Sequence, residues 1–146
     1  MRNGRSVWLI AVWLSAVALA GCNDADATPR RNRSRLVGTW LEEVERDGLK
    51  FRRVLSLESG GTFQQAITMA GQDGSVRTEV IAGDWFFGGE TVKRRYLTVN
   101  GKRVSGIQFA SYQVISVTDT ELACVDHLVE GKRSIRFQRL AGGTNP

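Results

Sequence analysis

The sequence predicts an all-β protein, an antiparallel up-and-down β-barrel of eight or nine strands, and three observations lead there. From residue 36 onward apolar residues recur with a period of two, not 3.6. Turn-forming pairs divide the same region at intervals of about ten residues. Both prolines, Pro29 and Pro146, lie outside that region, where neither interrupts a ladder of backbone hydrogen bonds.

Strands are expected at 36–46, 49–58, 62–70, 76–87, 91–99, 103–117 (one strand or two), 122–129 and 133–140. The first carries Glu42, Glu43 and Glu45, which read as a solvated strand and not as calcium ligands, because no loop spaces oxygens as an EF-hand does. In the second, Leu49, Phe51, Leu55 and Leu57 share a face with Arg53, while Lys50, Arg52, Ser56 and Glu58 share the other with Val54. In the third, Phe63, Ile67 and Met69 align with Gln65. In the fourth, Val76, Val80 and Ala82 align with Thr78, and Trp85-Phe86-Phe87 follow. Three consecutive rings cannot all enter one side of a sheet, so at least one faces outward or lies at a loop. Such a ring closes the barrel end, packs under a loop or meets a partner or membrane. In the last strand Ile135 and Phe137 lie between Arg133 and Arg139. Asp47-Gly48, Gly60-Gly61, Asp73-Gly74, Gly88-Gly89, Asn100-Gly101, Asp119-Thr120 and Glu130-Gly131 mark the turns; Asp-Gly and Asn-Gly suit two-residue hairpins, whose central residues take positive φ.

The N-terminus is an address. Arg2 and Arg5 precede an apolar run from Val7 to Ala20, which at 14 residues falls short of the ~20 that cross a bilayer. The run ends in Leu19-Ala20-Gly21-Cys22, which resembles the bacterial lipobox. That resemblance implies a signal peptide over 1–21, cleavage between Gly21 and Cys22, and acylation of Cys22, which would hold the protein on a membrane through its acyl chains. Asn23 follows where Asp retains lipoproteins at the inner membrane of enteric bacteria, so the expected place is the cell envelope, at the outer membrane. Residues 22–35 read as a flexible basic tether and 141–146 as a disordered tail.

The net charge of +5 does not point to nucleic acid. Residues 36–146 hold 14 Lys and Arg against 13 Asp and Glu, so the excess lies in the leader and tether, and an exported protein meets no cellular DNA. If Cys22 is lipidated, Cys124 has no disulfide partner, and its setting in Leu122-Ala123-Cys124-Val125 reads as packing. One His and two Cys exclude a four-ligand His/Cys zinc site; no metal and no cofactor is expected.

Leu36-Val37-Gly38-Thr39-Trp40 resembles the Gly-x-Trp opening of lipocalins. Gly83-Asp84-Trp85, the run Tyr112 to Asp119 and Phe137-Gln138-Arg139-Leu140 resemble bacterial lipocalin-like lipoprotein domains, a likeness covering residues 36–140. It implies an eight-stranded barrel in which Trp40 packs across the closed end against Arg139. The lipocalin C-terminal helix has no counterpart in 141–146. There is also an internal echo, with Leu36 to Trp40 repeated 45 residues on as Ile81 to Trp85.

Three candidates for ligand contact stand out. Arg53 interrupts an apolar face: it either pairs with the acid group of an amphipathic ligand inside the barrel or reaches out to solvent from a bulge or rim. In Lys93-Arg94-Arg95 neighbours alternate sides, and Arg94 shares a face with Val92 and Tyr96, so either that cation points inward or the run is a solvated face. Arg53, Arg94 and Tyr96 are therefore the expected ligand contacts. Asp126-His127 is the only conceivable acid–base pair, yet strand neighbours face opposite ways, and no Gly-x-Ser-x-Gly elbow or phosphate loop accompanies it. No enzyme is expected. The leading reading is a lipid-anchored envelope binding module for a small amphipathic or apolar ligand. The alternative is an envelope interaction or inhibitor lipoprotein with a filled barrel.

Overall fold

The computed structural model describes residues 27–126 and 132–141. The expected signal peptide, the Gly21/Cys22 cleavage and lipidation site, His127 and the tail beyond Ala141 lie outside these residues. One helix, α1 (Ala27–Leu36), precedes eight strands: β1 (Gly38–Arg46), β2 (Leu49–Leu57), β3 (Thr62–Ala70), β4 (Val76–Phe87), β5 (Thr91–Val99), β6 (Lys102–Val117), β7 (Glu121–Asp126) and β8 (Arg133–Arg139). Each pairs antiparallel with the next, and β8 returns to β1 through Trp40↔Arg139 and Leu41↔Gln138, closing the barrel. Closure removes the unpaired strand edges that an open sheet leaves exposed.

The turns obey their chemistry. Asp47 and Gly48 have φ of 52° and 75°, Asn100 and Gly101 50° and 73°, the positive pair that a two-residue hairpin needs. The 103–117 region, left as one strand or two, is the single strand β6. It departs from regular pairing between Tyr96 and Thr98 of β5, opposite Gln108 and Arg103. At Gly83 the β4–β5 register also shifts, and a Cβ there would collide with the Arg95 carbonyl, so only glycine fits this close approach.

The face expected to be buried in β4 is reversed. Ile81, Gly83 and Trp85 point inward, whereas Val76 is exposed and Val80 and Ala82 lie half-buried. The large Ile81 and Trp85 side chains set the phase, with Val76 left at the open rim. Phe86 is the outward ring of the aromatic trio, and Phe87 packs against the core.

The expected flexible tether is partly a helix. Residues 27–36 have no apolar stripe to announce one, and what holds them is the barrel. Leu36 is fully buried at one barrel end, and Trp40 Nε1 donates to the Leu36 carbonyl at 2.8 Å. The Arg139 guanidinium donates to the carbonyls of Arg35 and, at 2.8 Å, Val37. A cation and an indole thus satisfy carbonyls at the helix C-terminus, where the dipole favours positive charge.

This end is closed. Leu55, Leu57, Phe63, Trp85, Val92, Val117, Leu122, Ile135 and Phe137 fill it beneath Leu36. Each such side chain contributes about 1.5–3 kcal/mol by leaving water. The echoed tryptophans play matching parts: both are buried, both donate to backbone carbonyls, and each lies under an arginine. Arg139 sits 4.1 Å from the Trp40 ring and Arg33 4.9 Å from the Trp85 ring. The opposite end, bounded by the turns at 47–48, 71–75 and 100–101, carries no such plug among the described residues. The buried core and the complete ladder lie within residues 36–139, so the barrel is whole without the segment before Ala27.

Candidate functional site

Above the apolar plug the barrel interior turns polar. Arg53 points inward from the middle of β2, between Phe51 and Leu55, and does not reach solvent through a bulge. Its Nη1 donates to the Tyr112 hydroxyl at 3.0 Å and lies 3.2 Å from Glu42 Oε2. Glu42, expected on a solvated strand, is 3% exposed. It sits two residues beyond Trp40, so the pleat turns it to the same inner face, and only Glu43 and Glu45 remain outside. Its other oxygen accepts from Arg133 at 2.6 Å, which ties β1, β2 and β8 together through one carboxylate. Two cations on one anion stabilise a charge that burial alone would penalise.

Arg94 settles the question posed by the basic run on β5. It points inward and is 1% exposed, whereas Lys93 and Arg95 face out. Arg94 donates to Gln65 Oε1, and its guanidinium carbon lies 4.2 Å from the centre of the Tyr112 ring. No carboxylate among the described residues pairs with it. The rings of Phe63 and Tyr96, at 5.6 and 5.9 Å, complete the enclosure. Cation–π contacts of this kind supply about 0.5–2 kcal/mol each and gain from desolvation. The Nε atoms of Arg53 and Arg94 have no hydrogen-bond acceptor among the described residues.

This polar layer shifts its neighbours. Burial raises the Tyr112 pKa above its ordinary value, against the opposing pull of Arg94 and Arg53. Burial likewise pushes the Cys124 thiol up to about 12, so Cys124 is a packed hydrophobe and not a nucleophile.

Over this floor the open mouth forms a cavity of about 230 Å³. Val44, Leu49, Phe51 and Met69 supply apolar surface, and Arg46, Lys50 and Arg133 supply cations, against Asp47 alone. Phe51 joins floor and mouth: its ring lies 5.1 Å from the Arg53 guanidinium and 5.6 Å from that of Arg133. A larger groove of about 520 Å³ on the outer wall, along Glu43, Glu45, Lys50, Arg52 and Thr68, is crossed by the exposed Arg52–Glu43 pair.

The three residues expected to hold a ligand therefore stand together inside the barrel, but as its floor. Arg53 and Arg94 are committed to protein partners, and Tyr96 is half-buried against Phe63 at 6.0 Å. The mouth residues were missed for a physical reason. Leu49 and Met69 read as core by periodicity, and only the end of the barrel on which they fall leaves them, with Val44, exposed. Among the described residues no cluster of His, Cys, Asp and Glu is arranged to hold a metal ion, and no helix is long and apolar enough to cross a membrane. No protein-family model and no curated protein matches the chain.

Proposed function

We propose that this protein is a lipocalin-like lipoprotein of the bacterial envelope, anchored through Cys22 at the outer membrane, that binds a small amphipathic anion in the open mouth of its barrel. The observation that carries this reading is the mouth itself, a small apolar cup of Val44, Leu49, Phe51 and Met69 rimmed by Arg46, Lys50 and Arg133. Binding sites combine mostly apolar walls with a few placed polar groups, and this cup does so at a volume just below the ~300–1,000 Å³ usual for ligand sites. The filled floor limits the ligand to a short tail lying on Phe51, with its acid group at the cationic rim. The role is binding, not catalysis: the thiol is deprotonated only near pH 12 and the buried carboxylate is held between two arginines.

The test is titration of residues 23–146 with octanoate and with octylamine, followed by calorimetry. Octanoate should bind and octylamine should not. Met69→Glu, at a half-exposed rim position that tolerates charge, should abolish octanoate binding. Equal affinity for the two amphiphiles, or octanoate binding unchanged by Met69→Glu, overturns the mouth as the site.

A further inference from the structure

A second surface lies outside the barrel, on the wall made by β4, β5 and β6. Residues 91–118 contain no Asp or Glu, yet they hold Lys93, Arg94, Arg95, Lys102 and Arg103. Arg94 is turned inward, and Lys102, opposite the core-packed Val99, lies on the inner side of the rim, so Lys93, Arg95 and Arg103 project from the wall. The same wall exposes large apolar side chains. Ile107 is 80% exposed and Phe109 51%, and Leu97, Phe86 and Ile115 join them. They are interleaved with the cations by register, Phe109 opposite Arg95 and Phe86 opposite Lys93. Where the β5–β6 pairing is irregular, β6 carries more residues than β5 can match, and Ile107 rides on this excursion beside Gly106, whose φ is 75°. The only carboxylate facing this wall from β4 is Asp84, which is spent on Arg95.

An outer barrel face in water has no packing reason to carry five large apolar side chains with Asp84 as the only acid on the outward face of its strands. Cations spaced among protruding apolar groups suit a lipid–water interface, where the apolar groups enter the headgroup boundary and the cations meet anionic phosphates. The position of the chain before the barrel fits this. Helix α1 packs beside β6, and Arg35 reaches Asp119 in the turn after it at 3.8 Å. Only residues 23–26 separate Cys22 from α1. Even fully extended, so short a linker spans roughly 15–18 Å.

We propose that the β4–β6 wall is a membrane-docking face that lies on an anionic lipid surface through Phe86, Leu97, Ile107 and Phe109, with Lys93 and Arg103 on the headgroups. The face does not depend on the mouth having a ligand. It serves to orient the barrel on its side, in place of the free rotation that an anchor alone allows.

The experiment is co-sedimentation of residues 23–146, lacking the anchor, with vesicles of phosphatidylcholine alone and with 30% phosphatidylglycerol (about one charged lipid in three). Binding to the anionic vesicles only, weakened by salt, is expected. Lys93→Glu with Arg103→Glu should lower the partition coefficient by more than tenfold, since each cation near such a surface contributes roughly fivefold. Ile107→Ser with Phe109→Ser should lower it comparably while leaving the thermal unfolding of these exposed positions unchanged. The proposal fails if the protein sediments with neither vesicle, if it binds both equally, or if both double variants bind like wild type. It also fails if the unmodified protein is a dimer that Ile107→Ser with Phe109→Ser dissociates, which would make the wall a surface for a second copy.

Discussion

Glu42 is the residue whose removal should cost most for the least change in shape. Glu42→Gln keeps the volume and one acceptor but takes away the only carboxylate that the structure places against Arg53, at 3.2 Å. Arg53 is 8% exposed and cannot reach water without disturbing Phe51. Stranding one member of a buried pair costs about 3–5 kcal/mol. The lost contact to Arg133 adds little, because that side chain is 37% exposed and solvent screens it. We expect a loss near the lower bound, about 3 kcal/mol. In urea, with a slope of about 1.5 kcal/mol per molar for a domain of this size, the midpoint should fall by about 2 M. The double variant Glu42→Leu, Arg53→Leu strands no buried charge; it takes the donor from the Tyr112 hydroxyl, a cost of about 1 kcal/mol, and the acceptor from Arg133, which solvent screens. It should therefore be more stable than Glu42→Gln, with a coupling of about 2 kcal/mol or more. A Glu42→Gln midpoint equal to wild type, or a double variant that simply adds the single losses, refutes the buried bridge.

Further outcomes follow from the same structure. Arg139→Leu should uncap α1 and release the Trp40 ring, raising amide exchange over 32–37 while β3 and β4 keep their protection; uniform protection throughout would mean the cap is not what holds the helix. Gly83→Ala forces a Cβ into the Arg95 carbonyl and should cost several kcal/mol, about 3 or more, by thermal or urea unfolding; a neutral result would mean that β5 moves aside freely. Cys124 should resist iodoacetamide at pH 8 in the folded protein and react once unfolded. Its folded pKa of about 12 lies above the unfolded value, so the unfolded chain loses its proton first and this residue's share of stability should fall as pH rises from about 9 to 12. Stability that stays flat through this range in wild type, or declines equally in Cys124→Ala, contradicts the assignment.

Much of the barrel is legible in the sequence because period-two patterning and turn chemistry are local signals. Asp47-Gly48 and Asn100-Gly101 fix hairpins by themselves, and Leu55 and Leu57 fix the inner face of β2. The phase of β4 is not local: Val76, Val80 and Ala82 make as good an apolar face as Ile81 and Trp85 until the bulge at Gly83 and the closed end decide between them. Helix α1 escapes notice because its stabilisation comes from Arg139, 104 positions away from the carbonyl of Arg35 that it caps. The site is half legible. Arg53 and Arg94 announce themselves by interrupting apolar faces, but Glu42 looks like one of three solvated acids, and only the closure of β8 onto β1, which brings Arg133 to it, shows what it does.

Whether an amphipathic anion occupies the mouth, over the polar floor, is read by native mass spectrometry. Residues 23–146 would be expressed in a bacterial periplasm without the acyl anchor and sprayed from volatile buffer. A small acidic molecule should survive purification, or load from added octanoate at one per chain, and be absent from Met69→Glu. A clean apo mass that stays unchanged at millimolar octanoate would contradict it and leave the barrel as a filled scaffold.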